Sequence, residues 1–362
     1  MVMGRRPGVH RSSWPVAVTD LIGLVGEMGL GMARVPFRRP WSGQGNLAHN
    51  VAVSVTRETM RTFMGYSTSL PVDEFRSIEL VLDDLCGVVL PPIVSFRGAD
   101  HEDGAVGGVL GEWIRPRNGR SGGTIVYLHG GGYVGTSPRM YSVFAAWLAR
   151  RTGCDVFLPD LRLAPEFPFP ADLEDAVAVL HGLLADGVDP ERIVIAGDSS
   201  GGGLVTTLVA AEVVPEQLPV AAVVLFSPEV NLQLDLPSVR DNARLDILPW
   251  NVPTSAYLHG VDPSSPLVSA SSQDLEGWPP TFVCVGGDEM FRDGIRKFTS
   301  HLDEADVDAE VHEEPGMFHV YPILMPWSDA GRRTIEAAGT FVRSRLPSVT
   351  EAEAAPGAAG AA

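Results

Sequence analysis

The sequence predicts an α/β protein: one mostly parallel central sheet covered by helices on both faces, with a helical cap. Three observations carry this. From about Val106 onward, short β-rich runs alternate with helix-length amphipathic segments, the pattern of a parallel sheet with crossover helices. The run Val223-Val224-Leu225-Phe226 is apolar throughout, as a strand buried on both faces must be. Two stretches, residues 1–75 and 229–277, break the alternation and supply material for a cap.

Taken in order, residues 1–75 read as helices and loops rich in Gly and Pro, the first cap segment. Within it Val16–Met32 is apolar but interrupted by Asp20 and Glu27, so an amphipathic helix is expected; no run is long and uncharged enough to span a bilayer. Arg5-Arg6 ahead of it mimic a twin-arginine export signal, but no small-x-small cleavage site follows. Gly23, Gly26, Gly29 and Gly31 point to close helix packing or a mobile lid. The first part of the core, 76–228, holds strands in "VGGVLGEWI", "GTIVYLHG", "CDVFLPD", "RIVIAG" and "AAVVLFSP". Its helices are Met140–Thr152, Ala171–Asp186 and Ser200–Val213. Residues 229–277 are too long for a bare loop and should carry short helices of their own, the second cap segment. The second part of the core, 278–346, holds strands in "TFVCVGGD" and "AEVHEEPG" and helices Phe291–Ala305 and Asp329–Arg345. The tail 347–362 is Ala, Gly and Glu without apolar anchors and is expected to be disordered. Apolar candidates for the cap wall are Trp14, Leu21, Met28, Met32, Phe37, Trp41, Leu248, Trp250 and Tyr257.

The 362 residues, 45% of them apolar, support a sizeable core, and the net charge of −18 argues against nucleic acid or an anionic membrane as partner. Cys86, Cys154 and Cys284 are far apart and form no C-x-x-C pair. No metal or disulfide framework is expected, and a reducing, cytoplasmic location suits them.

The chemistry concentrates in "RIVIAGDSSGGGLVTTL", where Gly197-x-Ser199-x-Gly201 stands between an apolar strand and an apolar helix. A serine hydroxyl needs a base, a group to orient that base, and donors for the oxyanion. A sharp strand-to-helix turn lifts the serine out of the sheet, and glycines two residues either side remove the Cβ atoms that would clash. The N–H of Ser200 is then one oxyanion donor. "YLHGGGYVGTS" follows a strand about 70 residues earlier. Its Gly130 and Gly131 are the natural partner donors, Tyr133 is a substrate contact, and His129 a loop-fixing hydrogen bonder. The base must come late in the chain. His312 lies inside a strand; His319, in the loop after the last strand, can swing over the serine. The orienting acid should lie in "TFVCVGGDEMFRD": Asp293 is expected to pair with Arg292 or Arg296, which leaves Asp288 and Glu289.

His-Gly-Gly-Gly-Tyr, Gly-Asp-Ser-Ser-Gly-Gly and a late Pro-Gly-Met-Phe-His together resemble the bacterial hormone-sensitive-lipase-type carboxylesterases. So do "PDLRLAPEFPFPADLEDA" between the glycine motifs and "SPEVNLQLDLPSVRDNARLDIL" after the sixth strand, the likeness covering about residues 80–345. The resemblance implies an α/β-hydrolase fold and hydrolysis of small-molecule acyl esters through Ser199 and His319, without cofactor or metal. It further implies a homodimer. Set against the family's Asp-Pro-Leu-Arg-Asp, the segment Glu289-Met290-Phe291-Arg292-Asp293 puts Glu289 at the acid position, a change of residue type that keeps Asp288 as the alternative. Acyl transfer, amide or lactone cleavage would use the same triad. A ligand-binding module without catalysis would be expected to have lost the base, which is present here.

Overall fold

The computed structural model describes residues 9–38, 45–248, 254–273 and 275–348. The expected tail beyond 348, Arg5-Arg6, Trp41 and Trp250 lie outside the described residues. Three helices lead: α1 (Trp14–Arg34), α2 (Leu47–Ser67) and α3 (Val72–Phe96). Then follow β1 (Ala99–Val106), β2 (Val109–Pro116), β3 (Thr124–Leu128), α4 (Pro138–Thr152), β4 (Asp155–Pro159) and α5 (Ala171–Ala185). Next come β5 (Ile193–Asp198), α6 (Ser199–Leu208), β6 (Ala222–Phe226), and the short α7 (Pro237–Asp241) and α8 (Thr254–Leu258). The chain closes with β7 (Thr281–Gly286), α9 (Arg292–Glu304), β8 (Ala309–Glu314), α10 (Tyr321–Leu324) and α11 (Asp329–Arg345).

The eight strands form one sheet in the order β1-β2-β4-β3-β5-β6-β7-β8. β3 through β8 run parallel, while β1 and β2 form an antiparallel hairpin on one edge. Every residue of β5, β6 and β7 is buried, which is why these strands read as unbroken apolar runs. Their carboxyl ends all deliver loops to one edge, the place where sheets of this kind hold their ligands.

Four expectations are corrected. The strand read in "VGGVLGEWI" is broken by the tight turn Gly107-Gly108, both at positive φ, into the end of β1 and the start of β2. The boundary expected between residues 75 and 76 falls inside α3. The span Trp14–Phe37 is, by length and composition, apolar enough to cross a membrane, with mean hydropathy 1.5 over 18 residues; Asp20 and Glu27 do not disqualify it. And the cavity wall is built by α2 and α3 rather than by most of the cap aromatics read from sequence, as described below. On α1 the glycines divide: a Cβ on Gly23 or Gly31 would collide with Tyr66 or Thr62 of α2, whereas Gly26 and Gly29 face open space. Close packing therefore accounts for two of the four, and Trp14, Ile22, Val25 and Phe37 stay exposed.

Candidate active site

Ser199 sits at the junction of β5 and α6 with φ of 51°, the left-handed region that non-glycine residues avoid. Packing holds it there. A Cβ on Gly201 would strike the carbonyl oxygens of Leu128 and His129, and one on Gly197 would strike those of Gly201 and Leu128. Helix and strand thus approach to a distance that only glycine permits, and the hydroxyl is pushed above the sheet edge.

His319 Nε2 lies 2.8 Å from Ser199 Oγ. On the other side of the ring, Nδ1 lies 3.9 Å from Glu289 Oε1, ion-pair range but longer than a hydrogen bond. Both side chains are sealed from solvent, at 1% and 0% exposure. The second oxygen of Glu289 accepts from Ser227 Oγ at 2.6 Å and from the Gly286 N–H at 2.8 Å. Asp288 is turned elsewhere: its carboxylate meets Arg57 of α2 at 3.3 Å and is partly exposed. Asp293 pairs with Arg292 at 3.0 Å, and His312, at the sheet edge, with Glu310 at 2.6 Å.

Burial favours the neutral imidazole of His319, but the surrounding carboxylates Glu289, Asp246 and Asp198 outweigh it and raise its pKa above the ordinary 6.5. Beside Asp198, two further residues around the histidine were given no role from sequence. Asp246, buried in the second cap segment, accepts the backbone N–H of His319 at 2.9 Å on one oxygen and that of Met290 at 2.7 Å on the other. Ser227, just past β6, donates to Glu289 and accepts the Val320 N–H at 3.0 Å. Both lie in the segment "SPEVNLQLDLPSVRDNARLDIL" that carries part of the resemblance, but nothing in its pattern marks these two side chains as members of the site.

The glycine loop is anchored by Asp198, next to the serine. Asp198 accepts the hydroxyls of Tyr127 and Tyr141, both at 2.9 Å, and the Gly130 N–H at 3.0 Å; burial lifts its pKa to about 6. This corrects the donor assignment. The Gly130 N–H is committed to Asp198, whereas Gly131 and Gly132 line the cavity above Ser199. Tyr133 is corrected as well: its ring is buried and stacked on Tyr257 at 3.6 Å, in a cluster with Leu232 and Val268, while Gly131, Gly132, Val134, Gly135 and Thr136 of its loop line the cavity. Tyr257, expected in the cap wall, is packed in the same cluster. His129 Nδ1 contacts Thr136 Oγ1 at 2.9 Å and the Gly130 carbonyl at 3.0 Å, inside its own loop.

The cavity is about 270 Å³ and opens over Ser199 and His319. Met60, Phe63 and Met64 of α2 and Phe75, Ile78 and Leu82 of α3 form its apolar wall, joined by Leu248 and Phe291. Of the cap candidates read from sequence, Leu248 alone lines it among the described residues. Arg76 of α3 fastens this wall to the glycine loop. It donates to the carbonyls of Val134 (2.5 Å) and Ala164 (2.7 Å) and pairs with Glu79 and Glu166 at 2.8 and 2.7 Å.

The chain matches the α/β-hydrolase fold family over residues 125–323. It is 38% identical to an acetyl-hydrolase of Streptomyces hygroscopicus over 66% of its own length and 81% of that protein. With an esterase of Acinetobacter venetianus it shares 30% identity over 73% of its length and 87% of the relative. Among solved structures, an esterase from the bacterial hormone-sensitive lipase family superposes with a TM-score of 0.67 at 32% identity, covering 89% of this chain and 99% of that one. The sheet, the serine elbow and these likenesses agree with the resemblance read from the motifs. The chain belongs to the α/β-hydrolase family and, within it, is a serine carboxylesterase of the bacterial hormone-sensitive-lipase type.

Proposed function

We propose that the protein hydrolyses short- to medium-chain acyl esters, with Ser199 as nucleophile, His319 as general base and acid, and Glu289 as the orienting carboxylate. The single observation that carries this is the 2.8 Å contact between His319 Nε2 and Ser199 Oγ, with a buried carboxylate facing the opposite ring nitrogen. Ser199 Oγ attacks the ester carbonyl carbon while Nε2 takes its proton, and the carbonyl π pair moves onto oxygen. The N–H groups of Gly131, Gly132 and Ser200 hold that oxyanion, in place of Gly130. Collapse breaks the ester C–O bond, and the leaving alkoxide takes the proton from His319. Water then attacks the acyl-serine with His319 as base, the acid is released, and Ser199 regains its proton. Glu289 stabilises the imidazolium in both halves. Contraction of roughly 1 Å brings its 3.9 Å contact to hydrogen-bond length as that charge develops.

The apolar lining supports acyl chains rather than charged groups. The volume of about 270 Å³ lies just under the ~300–1,000 Å³ of most small-molecule sites, which favours short chains. A series of p-nitrophenyl esters from acetate to dodecanoate tests this. The kcat/KM should peak among the shorter members; a maximum at dodecanoate contradicts the chain-length reading. Ser199→Ala should cost on the order of 10⁴–10⁶ in kcat with the melting temperature preserved. Residual activity near wild type in the purified variant rules Ser199 out as nucleophile.

A further inference from the structure

We propose that Glu229 is a specificity-determining group that selects esters carrying a hydroxyl donor close to the scissile bond; this rests on the esterase reading above. Glu229 is the third residue beyond β6, and its N–H donates to the Ser199 carbonyl at 2.8 Å, which fixes its backbone against the serine elbow. It lines the same cavity as Ser199 and His319 and is 1% exposed. Among the described residues, no group hydrogen-bonds either of its carboxyl oxygens. Its charge is felt by His319 and by the stacked Tyr133 and Tyr257.

The other buried acids here have protein partners. Asp198 is met by two tyrosines and the Gly130 N–H, and Asp246 by backbone N–H groups of three residues. Glu289 is met by Ser227 and Gly286, with its remaining oxygen facing His319. Glu79, which also borders the cavity, is ion-paired with Arg76. Glu229 is the exception, and an unpartnered buried carboxyl is costly enough to ask what completes it. It is not a second base for the serine, because Nε2 and Nδ1 of His319 already face Ser199 and Glu289. The remaining partner is a molecule that enters the cavity, and during turnover that molecule is the substrate. Burial raises the Glu229 pKa to about 7, so near neutrality it can both accept and give a hydrogen bond. In a mostly apolar pocket, a hydroxyl on the acyl or alcohol portion is the matching group. A wholly apolar ester leaves the carboxyl unpaired and is penalised.

Two ester pairs test this: ethyl butyrate against ethyl 3-hydroxybutyrate for the acyl side, and propyl butyrate against 2-hydroxyethyl butyrate for the alcohol side. In at least one pair, wild type should favour the hydroxylated member by about tenfold or more in kcat/KM. Glu229→Leu should abolish that preference and raise kcat/KM on the plain ester. Glu229→Gln, which keeps an acceptor, should retain part of it. Thermal melting guards the comparison: replacing an unpaired buried carboxyl by an apolar side chain of similar size should hold or raise the melting temperature. Equal rates within both pairs, or a preference that survives in Glu229→Leu, would overturn the proposal while leaving the esterase reading intact. Wild type inactive on all four esters would overturn both.

Discussion

At the scale of single residues, the proposal of Glu289 as the acid rests on which carboxylate faces the ring. Glu289 is sealed at 3.9 Å from His319 Nδ1, and Asp288 is tied to Arg57. We therefore expect Glu289→Gln to lower kcat on the order of 10³–10⁴-fold, since the amide cannot stabilise the imidazolium. Asp288→Asn should stay within a fewfold of wild type, and steady-state kinetics on one ester ranks the two; the reverse order refutes the assignment. The pH profile carries a sign. Activity needs neutral His319, and its pKa is raised by the surrounding carboxylates against the opposing effect of burial. The acid limb of kcat/KM should therefore fall at a pH above 6.5, the ordinary histidine value, and move to lower pH in Glu289→Gln, where one raising charge is gone. A limb that stays put in the variant separates Glu289 from His319. The serine elbow was legible because its geometry is local: two glycines stand where a strand, Ile193–Asp198, runs straight into a helix, Ser199–Leu208. The donor glycine was not, because what removes Gly130 from the set is Asp198, 68 residues away. Tyr133 was misread for the same reason, its stacking partner being Tyr257.

At the scale of elements, the parallel strands announced themselves as runs buried on both faces, while β1 did not. Its sequence, ADHEDGAV, lies on the sheet edge with mainly its end residues buried, so no apolar alternation exists to be read. The cavity wall was equally hidden, because α2 and α3 become a wall by docking over the sheet edge and not by any local pattern. That docking turns on Arg76, whose guanidinium joins α3 to the glycine loop and to Glu166. Arg76→Met should leave Glu79 and Glu166 without their counter-charge and cost on the order of 3 kcal/mol, read as a lower midpoint in urea. It should also reduce kcat more than it raises KM, since the loop bearing the oxyanion donors loses its anchor. An unchanged midpoint would show that the network contributes nothing to stability.

For the molecule as a whole, buried acids set the response to pH. Glu79, Asp172 and Glu229 are raised to about 7 and Asp198 to about 6, with burial the largest cause in each. The folded chain keeps these protons to higher pH than the unfolded chain does. Stability therefore falls as pH rises through roughly 4 to 7, and repulsion within a net charge of −18 acts in the same direction. Glu166, lowered by Arg76 against the effect of burial, opposes this at the acidic end of the range. The melting temperature at about pH 5 should exceed that at about pH 7.5 at constant ionic strength; scanning calorimetry showing the opposite order would refute the balance. Asp246 has a consequence at this same scale. One carboxylate belonging to the cap holds the backbone of both the acid loop and the histidine loop. Whatever shifts Asp246 therefore shifts the acid loop and the histidine loop together, so the alignment of the two is tied to the seating of this one segment.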